Sequence, residues 1–146
     1  MTILPLPDDK PQKIDLAKLP AKVRKAADAA VPGAKWEEAH KDTEEGVVIY
    51  ELDGTNARGR DVTVMVTAEG KVTEVETELP LTEVPQLVRD ALKAKMPRFK
   101  ITAAFEIREE GKVTSYDFEG KRPKDKEEIT VSVSVDGKTI EIEDGK

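Results

Sequence analysis

Apolar residues recur along the chain with two different spacings, one typical of helices and one typical of strands. Around residue 23 they lie three and four positions apart, and the same spacing returns around residue 88. The residues of the two stripes are Val23, Ala26, Ala27, Ala30 and Val31, and then Val88, Ala91, Leu92 and Met96. Each stripe predicts one amphipathic helix. Pro20 suits a first helical turn, and Pro32 and Pro97 end the helices because the residue before a proline avoids helical backbone.

Elsewhere apolar and polar residues alternate singly, which is the period of a strand. The alternation is clearest in two segments, whose apolar members are Val62, Val64 and Val66, and Ile129, Val131, Val133 and Val135. Eight strands are predicted, over residues 35–42, 47–54, 60–67, 72–78, 100–108, 112–120, 127–135 and 139–144. Short loops between consecutive strands predict antiparallel pairing, and Asp136-Gly137 is a strong hairpin sequence.

The second half of the chain repeats the pattern of the first. Residues separated by 65 positions match in Pro20 and Pro85, Val23 and Val88, and Pro32 and Pro97; the offset then grows to 66 for Tyr50 and Tyr116 and to 67 for Gly70 and Gly137. Drift by single residues indicates an internal duplication. We therefore expect an α+β fold of two tandem α-β-β-β-β repeats, with the helices packed on one face of antiparallel sheet.

The predicted boundaries follow from this repeat. Residues 1–14 are expected to form an extended N-terminal leader, residues 15–79 the first repeat and residues 80–146 the second, and the two repeats are expected to form one compact domain. The pattern leaves open whether the repeats join into one curved eight-stranded sheet or pack as separate four-stranded layers.

The composition of the chain argues against nucleic acid as a partner and against insertion into a membrane. The net charge of −6 argues against a nucleic-acid backbone as ligand. No apolar run approaches the roughly 20 residues of a membrane-spanning helix, so no membrane insertion is expected. The expected state is a monomer or weak dimer whose partner is an unknown protein or peptide.

Several short motifs, in the same order in both halves, resemble the PepSY-like domain family. They are the helix openings at Leu19, Pro20 and Val23 and at Val84, Pro85 and Val88, the strand tyrosines Tyr50 and Tyr116, and the hairpins Gly70-Lys71 and Gly137-Lys138. The resemblance covers about residues 15 to 144. It implies tandem repeats with a fold like that of the beta-lactamase inhibitor protein, no catalytic residues, and relatives that bind or inhibit other proteins. It also implies a periplasmic or secreted location; the alternative is cytoplasmic, because the N-terminal sequence shows no signal-peptide pattern.

Residues suited to catalysis are few. His40 is the single histidine and there is no cysteine. The serines Ser115, Ser132 and Ser134 fall in strand patterns without the glycines of a nucleophile turn. Acidic pairs precede turn glycines, where exposed carboxylates are expected. The sequence therefore predicts no enzyme, no cofactor, and no catalytic, cofactor-binding or metal-binding residue.

One asymmetry between the halves suggests where a partner would bind. Ile101, Ala103, Phe105 and Ile107 form an apolar alternation, whereas the matching residues are Trp36, Glu38, His40 and Asp42. One interpretation is a short, frayed edge strand whose charges discourage edge pairing, with His40 partly buried and hydrogen-bonded. The other is a partner or ligand surface with Trp36 as anchor and Glu38 and His40 as polar rim.

A second part of the expected partner surface lies one strand further along. Ile49 and Met65 are predicted to lie on the open face of the sheet as exposed apolar residues. The predicted function is a non-enzymatic protein- or peptide-binding module, inhibitor-like in the sense of the family. The alternative is a domain that senses a small ligand or envelope stress through a pocket between helix and sheet.

Overall fold

The structure is a computed structural model that describes residues 11–143. Helix α1 spans Ala21–Ala30 and helix α2 spans Gln86–Lys95, each directly after a proline. The start of α1 agrees with the prediction made from Pro20. Single 3-10 turns at Leu16–Lys18 and Leu81–Glu83 precede the helices. Of the predicted leader, residues 1–10 lie outside the described residues.

Nine strands make up about half of the described chain. They are β1 Gln12–Ile14, β2 Lys35–Glu44, β3 Val47–Thr55, β4 Asp61–Thr67, β5 Val72–Leu79, β6 Lys100–Glu109, β7 Lys112–Lys121, β8 Ile129–Ser134 and β9 Ile140–Glu143. The eight predicted strand segments coincide with β2 to β9 within one or two residues at each end. Strand β1 was not predicted.

The predicted organisation into two tandem α-β-β-β-β repeats is wrong. The nine strands form one sheet in the order β1-β2-β3-β4-β5-β6-β7-β8-β9, so the α+β fold is dominated by a single sheet with two short helices. The strand pairs with defined registers are antiparallel. The side-chain alternation that predicted the repeats marks each strand, but it does not determine how many strands one sheet contains.

The chain folds into two compact units, Met1–Val75 and Glu76–Lys146. In the first unit α1 packs on β4, and Val23 and Ala27 are fully buried against Leu52 and Val64. This is the face that the alternating valines of β4 were predicted to bury.

The second unit has its own core. Helix α2 packs on β8, with Val88 and Leu92 buried beside Phe118 and Val131. Val135 was expected to point inward with the other residues of β8, but it is exposed because the strand ends at Ser134. No helix among residues 11–143 is long and apolar enough to cross a membrane.

Candidate binding face of the first unit

Strands β2, β3 and β4 carry three rows of side chains on the face opposite α1. Each row contains one residue from each of the three strands. The three residues are paired in register, so their side chains lie side by side. The rows are Glu38, Asp53 and Thr63; His40, Glu51 and Met65; and Asp42, Ile49 and Thr67. Four of these nine side chains are carboxylates. We call this surface the acidic face.

Trp36 does not belong to the acidic face. The register between β2 and β3 shifts between Trp36 and Glu38, and this bulge inserts Glu37 without a partner. The extra residue reverses the alternation, so Trp36 lies in the core beneath α1, where it is 8 % exposed. Its indole Nε1 donates a hydrogen bond to Asp28 Oδ1 of α1 at 2.8 Å. The structure therefore separates the expected anchor from Glu38 and His40.

His40 lies at the centre of the acidic face, with its side chain 25 % exposed. Its Nδ1 is 3.6 Å from Asp53 Oδ2 and its Nε2 is 3.9 Å from Glu38 Oε1, so a carboxylate lies beside each ring nitrogen. The interpretation of this strand as a frayed edge is wrong, because β1 pairs with one side of β2 and β3 with the other.

Carboxylates on the acidic face are close enough to perturb one another. Burial, a side-chain hydrogen bond with Asp53 and the charges of Asp53, Asp42 and Glu38 raise the pKa of Glu51 from its ordinary 4.5 to about 7. Asp42 Oδ1 is buried without a hydrogen-bond partner among the described residues. A buried acceptor without a donor is unfavourable, so a donor brought by a ligand would relieve it.

Apolar side chains border these charges. Met65 and Ile49 are half-buried on the acidic face, diagonal to each other across β3 and β4. Ile49 also lines a cavity of about 650 Å³ together with Thr43, Glu44, Glu45 and Val47. Val47, two residues before Ile49 on the same side of β3, is 54 % exposed. We call Val47, Ile49 and Met65 the apolar strip. The acidic face therefore combines negative charge with apolar surface.

The group that comes nearest to a metal site in the described chain is Glu38, His40 and Asp53, whose ligand atoms lie within 4.8 Å of one another. A cation already lies beside these residues, since Lys13 Nζ of β1 is 3.2 Å from Glu38 Oε2. We assign no metal to these residues.

His40 and Asp53 are too far apart for a direct hydrogen bond, since Nδ1 lies 3.6 Å from Oδ2. The hydroxyl on the same face, Thr63 Oγ1, donates to Asp53 Oδ1 at 2.8 Å rather than to His40. A nucleophile activated by His40 is therefore absent from the described part of this face.

Glu38, His40, Ile49 and Met65 were predicted to be partner-binding residues, and they lie together on this face; Glu51 and Asp53 were not predicted. The information was present in β3, where Ile49, Glu51 and Asp53 alternate with the buried Tyr50 and Leu52. Alternating carboxylates on a strand are ordinarily solvent-facing, so their meeting with His40 depends on the register between β2 and β3.

Solved structures of similar fold come from Bacteroides species. A DUF2874 family protein from Bacteroides uniformis matches with a TM-score of 0.67 and 16% identity, over 84% of this chain and 88% of that one. A BLIP-like protein from Bacteroides fragilis matches with a TM-score of 0.63 and 20% identity, over 84% of each chain. The chain has a BLIP-like fold. A protein from Bacteroides eggerthii, described provisionally as periplasmic, matches with a TM-score of 0.64 and 16% identity, over 84% of this chain and 88% of that one.

These likenesses establish the fold and nothing finer. No family model matches the chain. No curated protein matches it either. The resemblance to the PepSY-like family is therefore not confirmed, whereas the expected likeness to the beta-lactamase inhibitor fold is.

Proposed function

We propose that the protein is a non-enzymatic binding module whose acidic face takes a cationic segment of another protein. The segment would present lysine or arginine side chains to the carboxylates of this face, next to an apolar side chain that packs on Ile49 and Met65. The observation that carries the proposal is the cluster of four carboxylates around His40, bordered by an apolar strip.

Charge complementarity supports a cationic occupant. Like charges held on one surface repel one another, and the raised pKa of Glu51 reflects this crowding as well as burial. Opposite charge on a partner relieves the repulsion and accelerates association. The chain itself provides an example of the contact, because Lys13 reaches the acidic face and pairs with Glu38.

The apolar strip supports a protein segment rather than a free cation. Interfaces derive most of their affinity from a few desolvated apolar or aromatic contacts, with charged groups at the rim. Ile49 and Met65 provide such a contact, and the cavity beside Ile49 gives it depth.

The remaining parts of the proposal rest on the fold and on the residues. Among the described residues, His40 has no hydrogen bond to Asp53 and the Thr63 hydroxyl donates to Asp53 instead of to His40, which supports a non-enzymatic role. A BLIP-like fold is compatible with the PepSY-like family and with an inhibitor-like function. The provisional description of the Bacteroides eggerthii structure as periplasmic favours a periplasmic location for this chain.

The alternative function, sensing through a pocket between helix and sheet, has less support. Val23 and Ala27 of α1 are fully buried against the sheet, and Val88 and Leu92 of α2 are buried in the same way. A ligand beneath either helix would have to displace these contacts.

The test is a calorimetric titration with two synthetic peptides, one carrying lysines on both sides of a leucine and one with glutamate in place of each lysine. We expect the lysine peptide to bind and its affinity to fall as salt is added, because screening weakens the attraction. We expect Met65→Lys to weaken binding at least about tenfold, since it replaces an apolar contact with a repelling charge.

The matched control is Leu87→Lys. Leu87 lies on α2 and is 60 % exposed, so this variant adds the same charge at an apolar surface residue outside the acidic face. Binding that is equal for both peptides, or equally weakened by both variants, would contradict the proposal.

A further inference from the structure

The second unit contains a groove where the end of α2, the start of β6 and the end of β7 meet. Two adjoining cavities of about 500 and 450 Å³ lie there. Both are lined by Pro97, Arg98, Phe99, Arg122 and Pro123. Small-molecule sites typically measure roughly 300–1,000 Å³, so either cavity has room for a small ligand. We call the two cavities together the basic groove.

Positive charge surrounds the basic groove although the chain as a whole is negative, with a net charge of −6. The other cationic residues that line it are Lys95, Lys100, Lys121 and Lys124. Within residues 11–143, Lys95, Arg98 and Lys100 form no ion pair. These three cations have no such countercharge among the described residues, so they raise the local positive potential and attract an anion.

The loop after β7 is held in shape by its own ion pair. The Arg122 guanidinium donates from Nε to Asp125 Oδ2 at 2.9 Å and from Nη2 to Oδ1 at 3.0 Å, and its backbone N–H donates to Oδ2 at 2.7 Å. Hydrogen bonds from Arg122 are the main reason why the pKa of Asp125 is lowered. This wall of the groove is therefore preformed, which reduces the entropy that a ligand must overcome.

The floor of the basic groove is apolar. Phe99 lies over Gly120, where a Cβ would come within 2.9 Å of the Phe99 ring and 2.0 Å of the Lys100 carbonyl oxygen. A side chain at position 120 would thus displace the ring from the floor. Met96, Pro97 and Pro123 extend the apolar surface to Ile142 of β9, which is 41 % exposed.

We propose that the basic groove binds a small amphiphilic anion, a molecule that joins a carboxylate or phosphate headgroup to an apolar chain or ring. The headgroup would lie among Arg98, Lys100 and Lys121, and the apolar part would cover Phe99 and Ile142. Neither a simple inorganic anion nor an uncharged alkyl molecule matches both halves of this surface, because the charge and the apolar floor lie side by side.

The segment after α1 has other residues at the positions that form the basic groove after α2. It carries Gly33 and Ala34 where the corner after α2 carries Arg98 and Phe99. A Cβ at Gly33 would be 3.3 Å from Ala57 Cβ, so this position has little space for a larger side chain. The basic groove is therefore a property of the particular residues after α2 and not of every corner between helix and strand in this fold.

The test is a calorimetric titration of the full chain with decanoate and decyl phosphate, both below the concentrations at which they form micelles. Decanol and acetate serve as controls that carry only the apolar part or only the charge. We expect at least one of the two amphiphiles to bind and both controls to fail, and the tighter amphiphile identifies the headgroup. Binding of acetate or decanol as tight as that of the amphiphiles would overturn the proposal, as would no binding at all.

Substitutions of groove residues test whether the ligand binds within the groove. Arg98→Gln combined with Lys100→Gln should weaken binding about tenfold or more, since charge-assisted hydrogen bonds are lost, and Ile142→Ser should weaken it through the apolar part. Lys112→Gln is the control, because it removes one lysine charge at the opposite end of β7, outside the groove. Equal losses in the control and in the double variant would overturn the assignment to the groove.

Discussion

At the residue scale, the acidic face is organised by the positions of single side chains. His40 has a carboxylate beside each ring nitrogen, and Glu51 shares a hydrogen bond with Asp53. Neither arrangement follows from the identity of one residue; both result from the register that aligns β2 with β3. The consequence that can be measured is the altered proton affinity of Glu51.

Glu51 should make the stability of the protein depend on pH. Its pKa is raised to about 7 in the folded chain, so between about pH 4.5 and 7 the folded state holds a proton that the unfolded state releases. The free energy of unfolding should therefore fall as pH rises through this window. Glu51 is only partly buried, so solvent screening reduces the effect to about 1 kcal/mol.

The measurement is urea unfolding of the wild type and of Glu51→Gln between pH 4 and 8. Glutamine carries no titrating proton, so the variant should lose this fall and gain stability relative to the wild type as pH increases. Parallel stability curves for the two proteins would show that Glu51 has an ordinary pKa.

At the element scale, the bulge in β2 determines which side chains the acidic face contains. Glu37 is the inserted residue, and Gly54 lies beside the bulge, where a Cβ would be 2.0 Å from the Lys35 carbonyl oxygen. A glycine inside a strand pattern often marks such a bulge. The bulge places Trp36 in the core, where it joins β2 to α1 through Asp28.

The hydrogen bond from Trp36 to Asp28 should stabilise the packing of α1. Asp28→Ala should lower the free energy of unfolding by about 1 kcal/mol, and Asp28→Asn by less, because an amide oxygen can still accept from the indole. The effect of Asp28→Ala should largely vanish in a Trp36→Phe background, as expected for two residues that act together. Urea unfolding followed by circular dichroism measures these values, and fully additive losses would contradict the contact.

The helices and strands could be predicted from the sequence because each has its own period of apolar residues. Their arrangement could not. Backbone hydrogen bonds between strands leave no mark on side-chain alternation, and β1 is three residues long, too short to show a period. Strict alternation predicted Trp36 on the same face as Glu38. It does not account for Glu37, the residue that the bulge inserts between them.

At the scale of the whole molecule, opposite charges are concentrated in different places. The first unit carries the acidic face and the second unit carries the basic groove, each next to exposed apolar side chains. A net charge of −6 conceals this distribution, because it averages 24 cationic and 30 anionic residues. The two surfaces are suited to different partners, so binding at one can be tested without the other.

The central claim is that the acidic face binds a cationic protein segment, and an NMR titration of the ¹⁵N-labelled chain with the lysine peptide tests it most directly. We predict saturable changes in amide chemical shifts within β2, β3 and β4 around His40, Glu51 and Met65, with the amides of α2 and β8 unchanged. Shifts that fail to saturate, or that are centred on the second unit, would contradict the claim.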